Sequence, residues 1–242
     1  MLPKINKPAI NFVVPSTKKS VPFRMMTRRE EKILLVAKTS EDIADWLMAV
    51  RQVVQNCSIA PDFNVDSLAS FDLEYLFVKL RAISISPTQK LTYHDHSDDK
   101  DYTVEVNLEQ VEVSFPGGEQ SNIEIANDTM LQMRWPSART WANKNIINAK
   151  DVETAMDELV IDCVEKIWVG KQSYDVATTP KAEVQEFLDT LDVAAWDKIR
   201  EFVSHNPHLS YWVEWVNTKG ETRRFELKTL ADFFPYSSTG GA

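Results

Sequence analysis

The stretch from Ser70 to Ile83 limits what this chain can fold into more than any other part of it. Wound as an α-helix at roughly 100° per residue, it places Leu73, Leu76, Phe77, Leu80 and Ile83 on one side and Phe71, Tyr75, Val78 and Ala82 on the other. Two narrow polar seams separate these faces, one holding Asp72 and Lys79, the other Glu74 and Arg81. A surface helix carries one apolar stripe beneath a broad polar face, so a helix with two apolar faces must lie between two layers. Ser70 suits the N-cap, Asp72 and Glu74 suit the positive helix start, and Arg81 suits the negative end. Asp72 and Glu74 do not form a catalytic acid pair, because residues two apart on a helix point about 200° away from each other. The expected role is structural.

The rest of the chain supplies the layers. Pro3, Pro8, Pro15 and Pro22 exclude a helix over residues 1–24, where Ile10–Val14 and Val21–Arg24 predict a short hairpin behind a loose N-terminal arm. Thr27 and Glu30 form a capping box that opens a helix through about Lys38. A second start at Thr39 or Ser40, with Glu41 and Asp42 in its first turn, leads into helical spacing from Ile43 through Trp46, Val50, Val53 and Val54 to Cys57. That face is expected to cover one side of the central helix. After Ile83 the period changes to two, which predicts strands over 85–93 and 102–113 and a hairpin from 122–126 and 130–135.

Asn148 or Asp151 caps the next helix, expected to run through Trp168, and this helix or the sheet is the candidate for the second layer. Residues 170–178 read as a connecting loop, Thr179-Pro180 as a helix start, and Asp192 as the start of another helix. A hairpin of Leu209–Val216 and Glu221–Leu227 turns at Gly220, and a helical turn over 229–234 closes the chain.

The expected class is α+β, with helices packed around a central helix at about 70–83 and antiparallel β-hairpins in the middle and near the C-terminus. The expected domains are an N-terminal arm and hairpin (1–24), a helical lobe with a small antiparallel sheet (25–136), a second helical lobe with the closing hairpin (137–235), and a loose tail (236–242).

A net charge of −9 argues against nonspecific binding to nucleic acid or an anionic membrane, which requires clustered Lys and Arg. The dipeptides Arg28-Arg29 and Arg223-Arg224 read as solvated helix-start and strand charges. Cys57 and Cys163 fall on apolar helix faces and form no Cys-x-x-Cys pair, as expected of buried thiols in a reducing compartment. The first residues lack the apolar run of a signal peptide, and no segment reaches the roughly 20 apolar residues that cross a bilayer.

Phosphate-binding glycine loops, nucleophile elbows and His-Glu-x-x-His are missing from the sequence. His94 and His96 project to one side of an extended strand and give an alternative reading as a metal-dependent enzyme. Their neighbours Asp95, Asp98, Asp99 and Asp101 read better as a solvated acidic turn than as fixed ligands. His205 and His208 read as helix-end residues. No cofactor, metal ligand or catalytic residue is expected. The aromatic residues near the C-terminus point instead to protein contacts: Trp212, Trp215, Phe233 and Phe234 are the candidate interface residues, with the N-terminal arm beside them.

Several of these segments together resemble one family. Pro15-Ser16 and Val21-Pro22-Phe23-Arg24, followed by Glu31-Lys32, then Phe71 to Ser84, then Leu230-Ala231-Asp232-Phe233-Phe234, resemble the T4-type bacteriophage baseplate hub family over about residues 10–235. The resemblance is most specific at 71–84. It implies a structural or assembly, chaperone-like role at the hub of a contractile-tail baseplate, without catalysis. The implied partners are other baseplate hub or tail proteins, met in the virion tail or in the host cytoplasm during assembly. Relatives often carry a cysteine pair where this chain has His94-Asp95-His96, and tend to have a glycine where it has Thr229-Leu230. The first departure counts against a structural zinc here.

Overall fold

The structure, a computed structural model, describes residues 8–40, 43–118, 121–141, 143–147 and 149–234. In chain order it begins with strands β1 (Ala9–Val13) and β2 (Ser20–Arg24), then helices α1 (Arg28–Thr39), α2 (Ile43–Cys57) and α3 (Ser70–Ser84). Strands β3 (Thr88–Asp95), β4 (Lys100–Asn107), β5 (Glu112–Ser114), β6 (Asn122–Ala126) and β7 (Thr129–Met133) follow. Short helices α4 (Ala138–Trp141) and α5 (Lys144–Ile147) lead to α6 (Val152–Cys163), then to strands β8 (Val164–Val169) and β9 (Gln172–Asp175). Helices α7 (Lys181–Asp189) and α8 (Val193–Ser204), strands β10 (His208–Val216) and β11 (Thr222–Leu227), and the one-turn helix α9 (Leu230–Phe233) complete it. The strand pairings are antiparallel, and the class is α+β as the sequence predicts. The expected arm up to residue 7, the helix start at Glu41 and Asp42, the alternative cap Asn148 and the tail 236–242 lie outside the described residues.

Contacts divide the chain into two compact units. One comprises the described residues of Met1–Val65, Phe71–Ser114 and His208–Ala242; the other comprises Asp66–Ser70 and Phe115–Pro207. The closing hairpin, expected within the second lobe, therefore belongs to the first unit. The cause is a strand partner: β10 pairs with β11 on one edge and with β5 on the other, Leu209 standing opposite Val113. The expected strand over 102–113 is in fact β4 and β5, separated by a helical turn at Leu108–Gln110, which lets β5 leave its hairpin for β10.

Within the first unit α3 has the two buried faces that its sequence predicts. Leu73, Leu76, Phe77 and Leu80 are buried on one side, Phe71, Val78 and Ala82 on the other. The layer expected from residues 41–57 is α2, whose Trp46 meets Phe77 edge to face at 6.0 Å. Phe234 meets the same ring from another direction at 5.8 Å. The polar seams reach other elements. Asp72 is fully buried and accepts hydrogen bonds from the Ser16 backbone N–H (2.9 Å) and hydroxyl (2.5 Å), which ties the β1–β2 turn to the helix. Lys79 donates to the carbonyls of Glu109 (2.5 Å) and Val111 (2.9 Å), satisfying the helical turn between β4 and β5. Ser70, expected as the cap, is the first helical residue and donates its N–H to Pro136 O at 2.9 Å.

The capping box of α1 is present as predicted. Thr27 accepts from the Arg29 N–H while its own N–H donates to Glu30 at 2.8 Å. Burial opposes ionisation of Glu30, but hydrogen bonds from Arg24 and Thr27 outweigh it and hold its carboxyl down to about 2. Arg24 also donates to Asn56 O at 2.8 Å, so one guanidinium joins the hairpin, α1 and the end of α2.

The second unit is a sheet in the order β6-β7-β8-β9 with helices over it. Its core includes Leu131, Met133, Val160, Cys163, Ile199 and Val203. Here the fold departs from the periodicity of the sequence. Helix α6 ends at Cys163, and residues expected to continue it form β8 beside β7, while the expected loop 170–178 holds β9. Val160, Cys163, Val164 and Ile167 fit helical spacing, so periodicity could not mark the change. Thr179 was expected to cap α7; Pro180 occupies that position without a side-chain hydrogen bond.

Candidate protein interface

Two hairpins of the first unit, β3–β4 and β10–β11, meet along an aromatic and polar seam. On β10 alternate residues take opposite environments. Leu209 and Val213 are buried and Trp215 half-buried, while Trp212, Glu214 and Val216 are exposed. Trp215 stacks on Tyr93 of β3, with centroids 5.5 Å apart and planes 3° from parallel, and lies 6.1 Å from Tyr102 of β4. Phe225 of β11 packs edge-on against both Tyr93 (4.6 Å) and Trp215 (5.8 Å). Trp215, expected in a partner interface, is therefore half-buried and packed within the molecule.

Beyond the aromatics, the tips of the two hairpins are joined by hydrogen bonds. Asp95 is buried and receives Arg223 Nε at 2.9 Å, Asn217 Nδ2 at 3.2 Å and the Ser97 N–H at 2.9 Å. The Arg223 guanidinium foremost, then these other donors, holds the Asp95 carboxyl well below the usual carboxylate range. Asp98 accepts from Tyr102 and from the Thr218 N–H (2.9 Å) and hydroxyl (2.7 Å), while Asn217 Oδ1 accepts the Lys219 and Glu221 N–H groups that shape the turn. Gly220 completes that turn at φ +80°, a conformation that glycine adopts without strain. The acidic turn is thus a fixed joint, and Arg223 is one of its partners; both had been read as solvated charge.

His94 and His96 are brought together, their ring centroids 4.9 Å apart. Both nitrogens of His94 already face carboxylates, Nδ1 at 2.9 Å from Asp101 and Nε2 at 3.3 Å from Asp99. The Asp101 hydrogen bond, followed by the charges of Asp101 and Asp99, raises the His94 pKa. Among the described residues, no group of three or more His, Cys, Asp and Glu side chains stands placed to hold a metal ion. His205 lies at the end of α8, with Nδ1 3.0 Å from Glu201 O, and His208 begins β10. Both cysteines are buried, and burial pushes the Cys163 thiol up to about 12, so it stays protonated and unreactive.

The remaining interface candidates separate clearly. Phe233 is 0% exposed and belongs to the core, which removes it from the candidates. Phe234 is half-buried between Phe77 and Arg81. Trp212 and Val216, by contrast, are 52% and 57% exposed on the outer face of β10. The Arg224 guanidinium lies over the Trp212 ring, 4.3 Å from its centroid. Such a cation–π contact holds the indole against the sheet in one orientation, so less side-chain freedom remains to be lost on binding. Tryptophan and arginine are also the residue types that most often dominate interface energetics. Alternation along the strand could have separated Trp212 from Trp215; nothing local in sequence announced the Asp95–Arg223 joint.

A family model described as T4 bacteriophage base plate protein matches residues 7–235 of the chain. No curated protein and no solved structure matches it. Among the described residues, no helix is long and apolar enough to cross a membrane.

Proposed function

The chain belongs to the T4 bacteriophage base plate protein family, and from that premise we propose that it is a structural or assembly component of the hub of a contractile-tail base plate, working through contacts with other hub or tail proteins. Membership gives a base plate structural role and a location in the virion tail; the hub, the assembly step and the contact surface are the proposal. The observation that carries it is the outer face of β10–β11, where exposed Trp212 is preoriented by Arg224 beside exposed Val216. The net charge of −9 favours protein partners over nucleic acid or an anionic membrane. The reading includes no catalytic step.

Trp212→Ala tests the surface. In pull-downs and biolayer interferometry with the phage's other purified base plate proteins, the variant is expected to weaken binding by about 2 kcal/mol, the scale of an interface hot spot. Because the indole is half exposed, thermal stability should stay near wild type. Unchanged affinity for every partner that wild type binds would remove this face from the proposal. Mass spectrometry of purified virions separates the two roles, since a retained subunit is found in the particle and a dedicated assembly factor is not.

A further inference from the structure

A second surface of the first unit has chemistry of its own. Leu34 and Leu35 of α1, Trp46 of α2, Phe77 of α3, Ile85 and Phe234 line an open groove of about 610 Å³. Leu35 and Ile85 at its rim are 49% and 56% exposed. Arg81, on the last turn of α3, also lines it. Among the described residues, Arg81 Nη1 is buried without a hydrogen-bond partner, and the guanidinium lies 5.9 Å from the centroid of the Phe234 ring. Partly burying a guanidinium with an unpaired N–H group costs free energy that the fold must supply, and this burial lowers the Arg81 pKa. Lys38 and Lys90 stand at the same groove, while the one acid among its described lining residues, Glu31, is already engaged by Arg28 at 2.7 Å. A chain with a net charge of −9 therefore lines an apolar groove, among the described residues, with three cations, Lys38, Arg81 and Lys90, and one acid that is already engaged.

We propose that this groove docks a segment of another base plate protein in which apolar side chains flank an Asp or Glu, whose carboxylate pairs with Arg81. Charge complementarity selects this occupant: a guanidinium fork receives a carboxylate through two parallel N–H···O bonds, and in a desolvated groove such a pair is stronger than at a wet surface. Leu34, Leu35 and Ile85 give the flanking apolar side chains a place to bury, in the manner of short segments held in apolar grooves. The inference rests on the reading that the chain works through base plate contacts, but it uses a surface other than the Trp212 face.

The test uses the full chain and fluorescein-labelled peptides tiled across the phage's other base plate proteins, read by fluorescence anisotropy. Peptides with a carboxylate between apolar residues are expected to bind. Arg81→Gln should weaken them about tenfold, and replacing the peptide's Asp or Glu by its amide should produce the same loss, with no further loss when both changes are combined. Leu35→Glu, at the exposed rim, should also abolish binding with an unchanged melting curve, which separates docking from folding. Trp212→Ala should bind the peptides as wild type does, so failure of the groove and failure of the outer β10 face are read apart. The proposal is overturned if no peptide binds, if carboxylate-free peptides bind equally well, or if Arg81→Gln binds as wild type does. It is also overturned if Arg81→Gln abolishes self-association, which would make a second copy the occupant. Binding that appears only after deletion of residues 235–242 would make the chain's own tail the occupant and overturn it too.

Discussion

Phe77→Ala is expected to destabilise the first unit by about 4 kcal/mol, the scale for removing a fully buried aromatic ring from a packed core. Phe77 is buried on α3, with Trp46 of α2 and Phe234 both set edge-on against its ring. Removing the ring leaves a cavity where three segments meet, and neither aromatic neighbour can fill it without giving up its own packing. Urea denaturation followed by tryptophan fluorescence reads the loss as a lower midpoint at unchanged slope. Ile85→Ala, on an exposed side chain next to α3, should cost less than about 1 kcal/mol in the same assay. Equal effects would mean that α3 does not organise this unit.

The second large effect depends on pH. Glu74 lies in the other seam of α3, and burial, helped by the nearby charge of Asp232, pushes its carboxyl up to about 7 from an ordinary value of 4.5. The folded chain therefore binds a proton at pH values where the unfolded chain has released it. Its contribution is most favourable below pH 4.5 and is lost as pH rises through about 7. Glutamine reproduces the neutral carboxyl without the proton. Glu74→Gln should accordingly raise stability at pH 8 by about 3 kcal/mol and leave it nearly unchanged at pH 4. Melting curves of the two proteins across that range test this; a gain of the same size at every pH would show that ionisation of Glu74 is not the cause.

How much of this was legible in the sequence follows from the range of the forces involved. Helix α3 was legible because burial on two sides leaves a periodic record within one segment, and the Thr27–Glu30 box because a cap is a local hydrogen-bond pattern. The β8 strand was not, since Val160, Cys163, Val164 and Ile167 satisfy the helical period while the edge of β7 makes the strand. The assignment of β10 to the first unit depends on β5, and the Asp95–Arg223 pair joins residues 128 positions apart. At that separation a charge pattern carries no sign of its partner, so a buried joint reads as a solvated loop. The candidate site was legible in residue type but not in exposure. Of four aromatic candidates the fold uses Trp215 and Phe233 internally, keeps Phe234 half-buried, and leaves Trp212 in the open.

These placements divide the work of the first unit. Buried aromatics and the Asp95–Arg223 joint hold its hairpins, while the Trp212 face and the Arg81 groove are the surfaces proposed for partners. The chain is proposed to serve base plate assembly through such contacts. Electron microscopy of lysates from cells infected with phage whose copy of this gene carries an early stop codon tests it most directly. The account expects tails without completed base plates, restored when the wild-type chain is supplied in trans; normal base plates at wild-type yield without the protein would contradict it.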